Sequence, residues 1–437
     1  MFEVDGVIYV PVSLSERTCD IIDCSYSDKA NKIDLNRTVT YKGVTMNLQN
    51  FRPYAFYDND FIKELTIDID GEIPQYAFYS CGNIPEVKIG SSITTIGSYA
   101  FSGCSSLVSA TIENEGSIGS YAFSGCSSIV SATLENEGNI GSSAFSSCSS
   151  LASIELRNIG SIGDDAFWYC SSAETLCIAP TVTSIGNLVF YGCSKIGDVT
   201  IEDRETDLPL GYNYYLYSDN GIGYYKYEPL FSSCPLDEVY IGGKIVYDTS
   251  SSRGYSPFYR NTSLRTVTIT DKETTIYDNE FYGCTGLKNV KIGDGVTSFG
   301  KYAFSGCSSI ESFEFGAHVE TIGEEAFSDC TSMTKMTSHN PVPPICGTEA
   351  LDDIVKWECT LYVPETAEEA YKAANQWKEF VFVESFNSTG IDNVPVKDNG
   401  KTEAARYDMA GNKVSEAYNG IVIILYTDGT RMRVLNK

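Results

Sequence analysis

Apolar residues return along this chain at a period far longer than that of a helix or a strand. In Val296–Ser309, V-T-S-F-G-K-Y-A-F-S-G-C-S-S, an apolar residue and Gly lead to Ala-Phe, with Cys three positions after the Phe. The same arrangement recurs with Phe56, Phe78, Phe101, Phe123, Phe145, Phe167, Phe190, Phe231, Phe258, Phe281, Phe304 and Phe327. Their steps are 22 or 23 residues, except for two longer ones between Phe190 and Phe258. Leu351 makes a weaker thirteenth unit. A unit this small cannot bury its apolar face alone and must stack on its neighbours. The pattern therefore predicts a mainly β array of near-identical coils, and surface recognition has to be considered before catalysis.

Each coil divides into three pieces. L-K-N-V-K-I-G at 287–293 has the L-x-x-L-x-L strand spacing of leucine-rich repeats. A second extended piece, such as S-I-T-T-I-G at 92–97, ends in Gly, which permits a sharp turn. A-F-S-G-C places Phe and Cys at i and i+3, one face of a single helical turn. The Phe fills the coil and the Ala lets neighbouring coils approach. Each fully buried Phe contributes about 1.5 to 3 kcal/mol.

The ends read differently. Residues 1–50 lack the repeat but alternate as strands, V-I-Y-V-P-V at 7–12 and V-T-Y-K-G-V-T at 39–45, and are expected to form an N-terminal β cap over the open first coil. The array occupies 51–385. It closes with a helix at 364–378, P-E-T-A-E-E-A-Y-K-A-A-N-Q-W-K, for which Thr366 and Glu369 offer a capping box. A polar stretch, F-N-S-T-G, leads into a small C-terminal β module at 386–437, where Asp428-Gly429 between two apolar runs signals a hairpin.

The step of 41 between Phe190 and Phe231 marks an insertion of about one further coil near 203–229. It carries Tyr212, Tyr214, Tyr215, Tyr217, Tyr224, Tyr225 and Tyr227, and the following step of 27 adds Arg253 and Tyr255. Insertions in repeat proteins emerge on one face, and clustered Tyr gives large contact area at low entropic cost, which makes these the candidate binding residues. The alternative is a loop whose tyrosines pack back onto the flank. A second candidate surface is the outward face of the main strand. One column there reads Thr66, Lys88, Thr111, Thr133, Glu155, Cys177, Thr200, Tyr240, Thr268, Lys291 and Glu314, with Cys177 facing solvent. Its hydroxyls suit peptide or glycan, although Thr is also ordinary on an exposed strand. Asn114, Asn136 and Asn158 align on one edge and would tie turn backbones together. Glu113 above Glu135 and Glu115 above Glu137 form an acidic stripe, read as a solvated face because Ca²⁺ needs six to eight converging oxygens.

Charge removes whole classes of function. With 58 acidic against 31 basic residues in 437, the formal charge is −27. Such a surface repels phosphate, so nucleic acid and anionic lipid are not expected partners. No apolar stretch approaches the ~20 residues of a membrane span, and none is expected to insert. Met1 leads straight into F-E-V-D-G without a charged and then apolar leader, so either there is no export signal or one has been removed. Ten of the 15 cysteines form the repeat column. Stacked coils would set them about 4.8 Å apart with parallel side chains, unsuited to disulfides, and Asn59 and Asn261 stand in the same slot. Buried free thiols are therefore expected there. Cys19 with Cys24, or Cys346 with Cys359, could staple an end. No cofactor or metal motif is present, and only His318 and His339 are available for imidazole chemistry. The chain is not expected to be an enzyme, although abundant carboxylates leave a glycan- or peptide-acting hydrolase as a distant alternative.

The unit V-T-S-I-G, A-F-x-x-C-S and L-x-x-V-x-I, seen at Val182–Cys193 and Val296–Phe315, resembles the BspA-like leucine-rich-repeat surface proteins of anaerobic bacteria. T-L-Y-V-P at 360–364 looks like that family's closing module, and Y-D-M-A-G-N-K-V at 407–414 is similar to small terminal modules of secreted proteins. The resemblance implies a curved, right-handed solenoid, export to the cell exterior or outer surface, and adhesion to host matrix protein, glycan or another bacterial surface. A passive spacer is the competing role.

Overall fold

The computed structural model describes the chain apart from residues 25–30, 114–115, 135–136, 158–159, 220–221, 249–255, 387–402, 409–419, 427–430 and 437. The main strand of each coil pairs with its neighbours in parallel sheets of five, six and four strands. Pairing keeps strict register: Ser109, Ala110, Thr111 and Ile112 face Ser131, Ala132, Thr133 and Leu134. Alternate residues point inward, so Ile154 and Leu156 are buried while Ser153 and Glu155 are exposed. The first of these strands, Lys32–Asn36, lies within the stretch read as a cap and pairs with Glu64–Asp68. The other early strands form a separate sheet, in which Thr18–Cys24 is central, antiparallel to Val7–Ser13 on one side and parallel to Val44–Phe51 on the other.

The second side of the coil is a narrower parallel column. Where its strands shrink to one residue, the bridges Ile96–Ile118, Ile118–Ile140 and Ile140–Ile162 keep it continuous. Gly follows each of these apolar residues, for a reason other than turn sharpness. A Cβ on Gly141 would stand 2.6 Å from the Ser120 nitrogen of the preceding coil, and one on Gly119 2.6 Å from that of Ser98. The backbones there approach too closely for any side chain.

The third side is not the expected helical turn. Ala100 N–H donates to Gly97 O (3.2 Å) and Cys104 N–H to Phe101 O (3.2 Å), closing successive four-residue turns. Tyr99 (φ 60°) and Gly103 (φ 78°) occupy their third positions, as type II turns require. Alternate amides then reach the next coil: Tyr99 N–H to Ser120 O (3.0 Å), Phe101 N–H to Ala122 O (2.7 Å) and Gly103 N–H to Ser124 O (2.8 Å). A helical turn directs its amides along its own axis and could not make these bonds.

Inside, the repeat phenylalanines stack in one row from Phe56 to Phe327. Phe78–Phe101, Phe101–Phe123 and Phe123–Phe145 have centroids 5.1, 5.2 and 5.1 Å apart and nearly parallel rings. All 15 cysteines are free, so neither candidate staple, Cys19–Cys24 or Cys346–Cys359, is formed. Each column thiol has a defined partner. Cys104 Sγ donates to Phe78 O (3.2 Å), Cys126 Sγ to Phe101 O (3.1 Å) and Cys148 Sγ to Phe123 O (3.3 Å). Asn261 does the same in the Cys slot, its Nδ2 donating to Phe231 O at 3.3 Å.

The closing helix is shorter than expected. It comprises a 3₁₀ turn at Glu365–Ala367, an α-helix at Glu368–Ala373 and a second 3₁₀ turn at Trp377–Glu379, with no side-chain cap bond. The break lets Gln376 (φ 66°) turn its amide into the last coil, where Oε1 accepts from Leu351 N–H (3.0 Å). Trp377 then plugs the end, buried, with Nε1 donating to Pro344 O (2.9 Å). At the C-terminus Glu403–Asp408, Gly420–Tyr426 and Arg431–Asn436 form an antiparallel sheet. The Asp428-Gly429 turn between the last two strands lies outside the described residues.

Two outcomes follow from this packing. Gly141→Ala forces a backbone overlap and is expected to lower stability by about 1–3 kcal/mol in denaturant titration. Gly90→Ala, with nothing within 4 Å of the added carbon, should leave stability close to unchanged. Burial pushes the thiols of Cys104, Cys148 and Cys170 well above the usual range. Native-state maleimide labelling, mapped by peptide mass spectrometry, should therefore reach only the half-buried Cys177 and Cys346. It should reach these two slowly, because burial raises them to about 11 and about 12. The column should label only on unfolding.

Candidate functional site

The insertion is a hairpin set into the turn side of one coil, rather than a further coil. After the main strand Asp198–Ile201, Leu208–Pro209 holds the second column by pairing with Ile245–Val246, and Leu210 bridges Ile185. The chain then leaves the stack as two antiparallel strands, Asn213–Asp219 and Ile222–Glu228, and returns so that Phe231 stacks on Phe190 at 5.6 Å. Buried Asn213 fastens the base, its Nδ2 donating to Pro229 O (2.8 Å), Leu230 O (2.9 Å) and Ser232 Oγ (3.0 Å).

Pairing in the hairpin sorts the tyrosines. Tyr214 lies opposite Tyr227, Leu216 opposite Tyr225 and Tyr217 opposite Tyr224. Tyr212, Tyr214, Tyr225 and Tyr227 form one edge-to-face cluster, with Tyr212–Tyr227 at 5.4 Å and Tyr214–Tyr225 at 5.8 Å. Tyr215 carries the Lys226 ammonium 5.4 Å from its centroid. Towards the tip the side chains are open: Leu216, Tyr224 and Tyr225 are 66%, 50% and 61% exposed. The base of the cluster thus packs on itself and its outer part faces solvent. Tyr240 is placed elsewhere, on the main sheet between Thr200 and Thr268, and its hydroxyl donates to Asp203 Oδ1 at 2.7 Å. Arg253 and Tyr255 lie outside the described residues.

The middle of the strand face has paired several of its polar groups. Arg157 bonds Glu155 (3.2 Å) and Glu202 (3.0 Å). Cys177 is turned outward, as expected, and its thiol donates to the same Glu202 at 3.3 Å. The turn side, by contrast, carries an aromatic row that strand-face reasoning missed. Tyr54–Tyr76, Tyr76–Tyr99 and Tyr99–Tyr121 stack at 4.8, 4.7 and 4.7 Å, and Tyr57–Tyr79 run beside them at 5.0 Å. Trp168, Tyr169 and Tyr191 add further rings close to the hairpin. The signal was present in S-Y-A-F at 98–101 and 120–123, where Tyr holds the same period as Phe. Because these rings stack face to face, they offer solvent mainly their edges and hydroxyls.

The family model described as BspA type leucine-rich-repeat region matches residues 36–130, 71–197 and 251–350, in six copies. The chain belongs to this BspA-type family. Among solved structures it is similar to a leucine-rich repeat protein from Bacteroides ovatus, at 22% identity over 88% of this chain and 100% of that one, with a TM-score of 0.45. It is also similar to a leucine-rich cell surface protein from Faecalibacterium prausnitzii, at 17% identity over 89% and 95% of the two chains, with a TM-score of 0.34. The pneumococcal vaccine antigen PcpA gives 13% identity over 88% and 97%, with a TM-score of 0.26. No curated protein matches the chain.

On the BspA-type array the hairpin is flanked by a cleft of about 610 Å³ between its base and the turn Tyr259–Ser263 of the next coil. Among the described residues no group of three or more His, Cys, Asp or Glu side chains converges as a metal site. No described helix is long and apolar enough to cross a membrane. Asn114, Asn136, Asn158, Glu115 and Glu135, read as an amide edge and an acidic stripe, lie outside the described residues.

One coil near the hairpin breaks the repeat chemistry. Glu280 stands in the slot that holds Ala in most coils, and it is buried with Glu273 and Tyr247 nearby. Its Oε2 accepts from Tyr277 N–H at 2.7 Å. Burial, reinforced by the Glu273 charge, raises its carboxyl to about 8. The folded state therefore keeps a proton that the unfolded chain releases above about 4.5, so stability falls as pH rises from about 4.5 to about 8. Glu280→Gln is expected to raise the unfolding free energy at pH 8 by an amount on the order of a few kcal/mol, seen as a higher thermal midpoint, and to change little at pH 4. Calorimetry at the two pH values checks this.

Proposed function

We propose that this BspA-type chain is a secreted or cell-surface recognition protein of the adhesin kind. In this reading it binds a protein or glycan of a host or bacterial surface through the tyrosine hairpin and the adjoining turn side. The observation that carries the reading is the outer part of the hairpin, where Leu216, Tyr224 and Tyr225 stand exposed above a base anchored by Asn213. Tyr joins apolar area to a hydroxyl and has few rotors to immobilise, so an anchored Tyr-rich projection is well suited to binding. The strand face is the weaker candidate because Arg157, Cys177 and Tyr240 already have partners on it.

The same reading takes the array as curved and right-handed, the first sheet as its cap and residues 386–437 as a separate terminal module. It assigns no catalytic step. The likeness to a protein named as a cell surface protein accords with an exterior location.

Glycan and matrix-protein arrays probed with the intact chain and with Tyr224→Ser/Tyr225→Ser provide the test. The double variant should lose at least about tenfold in affinity, the effect of roughly 1.4 kcal/mol, with an unchanged melting curve. Ligands held equally well by both proteins would remove the hairpin from the site, and a chain that holds none would favour the spacer role.

A further inference from the structure

The cleft beside the hairpin contains an arginine that the fold positions and leaves unpaired. Arg260 is exposed and has no carboxylate partner among the described residues, whereas Arg157, Lys226, Lys244, Arg265 and Lys301 all do. Its backbone is left-handed (φ 56°), at a place where the next two coils have Gly283 and Gly306. The side-chain stem crosses Gly283, where an added Cβ would lie 2.9 Å from Arg260 Cγ. The guanidinium then rests against the rings of Tyr259 (5.3 Å) and Tyr282 (5.6 Å), which stack on each other at 5.0 Å. An arginine held in this way loses little freedom when it binds a ligand.

The rest of the cleft limits what that ligand is. Asn261 and Ser233 form a fixed floor, since their side chains are bonded to Phe231 O and Cys234 O and to Gly192 N–H. Ser194, Thr262 and Ser263 line the opening and are exposed, and their hydroxyls make no hydrogen bond among the described residues. Across from them Tyr227 supplies an apolar wall, and Lys226 is already paired with Glu228 at 3.3 Å. The cleft thus offers one free guanidinium, three free hydroxyls and one aromatic wall.

We propose that this cleft binds an acidic saccharide, with Arg260 holding the single carboxylate of an otherwise neutral sugar chain. The proposal deepens the recognition reading above and rests on it. A guanidinium matches a carboxylate through two parallel N–H···O bonds, and serine and threonine hydroxyls can exchange donors and acceptors with sugar hydroxyls. The local charge decides against a polyanion. Within a Debye length of about 8–10 Å the cleft lining offers one unpaired cation, Arg260, because Lys226 is taken by Glu228, so a further carboxylate finds no second cation there and meets Glu228 on a chain of formal charge −27. An acidic peptide with several carboxylates is repelled there, whereas one carboxylate among hydroxyls is not.

The test uses the full chain and calorimetric titration with sialyllactose, a glucuronate-capped xylotriose, lactose and hexaglutamate. At least one acidic sugar should bind, with lactose and hexaglutamate weaker by at least about tenfold, the equivalent of roughly 1.4 kcal/mol. Arg260→Gly installs the residue found at positions 283 and 306, so the fold should persist, and it should weaken the acidic sugar by a similar factor. Arg260→Lys keeps the charge without the planar fork and should recover only part of the loss. Failure of both acidic sugars to bind, equal binding of lactose, an unaffected Arg260→Gly variant, or tighter hexaglutamate would each overturn the proposal. Array ligands lost in Tyr224→Ser/Tyr225→Ser alongside any of those results would leave the hairpin reading intact and sink only the cleft. Arg260-dependent sugar binding that the tip variant leaves unchanged would do the reverse.

Discussion

Neighbouring coils lie one backbone hydrogen bond apart on all three sides, and the repeat's residue choices answer that constraint. Gly97, Gly119 and Gly141 are fixed because the preceding backbone occupies the space a Cβ would need. Buried Ala100, Ala122 and Ala144 are small for a related reason, since their carbonyls receive amides from the coil before, as Ala122 does from Phe101. The Phe rings stack because ring spacing follows coil spacing. Cysteine fits the remaining slot because it is small, apolar and a donor, able to reach the Phe carbonyl of the previous coil without opening a cavity. Asn261, doing the same work with an amide, shows that the donor matters rather than the sulfur.

The same constraint governs where the array can depart from itself. An insertion in the main strand or at the second-column Gly would push the coils apart. One set into the turn side can leave and return without disturbing the stack, provided that the residues flanking it keep register. Leu210 and Phe231 do so across the hairpin, which is why the Phe row passes through unbroken. Glu280 in the Ala column is a different departure. It is accommodated beside the longer coil that contains Tyr247, and its raised carboxyl marks the energetic cost.

Sequence reasoning reaches those features that depend on period and fails on those that depend on backbone sign. The 22- or 23-residue step, the thiol column and the outward Cys177 all follow from counting, because stacking turns a period into a line of neighbours. The A-F-S-G-C segment does not, since Phe and Cys at i and i+3 are compatible with a helical turn and with two type II turns alike. What separates them is the positive φ of Tyr99 and Gly103, and a tyrosine in that conformation is hard to foresee. The insertion was legible in length and composition but not in form, because its strands alternate no more clearly than a coil does. The pattern at 364–378 reads as one helix of about four turns, while the need of Trp377 and Gln376 to enter the last coil breaks it.

For recognition, the three sides of the coil are not equivalent. The main sheet places charged residues of adjacent coils within reach of one another, so Arg157 and its carboxylates satisfy each other there. The second column is narrow and tied to Gly. The turn side has positions, just before Ala-Phe and two after it, whose side chains point outward and do not enter the core. Tyr54, Tyr76, Tyr99 and Tyr121 occupy the first of these places, and Tyr169 and Arg260 the second. Variation at those positions changes the surface without touching the core, so it is there, and on the hairpin that opens from the same side, that the array can acquire binding chemistry at least expense to its own stability.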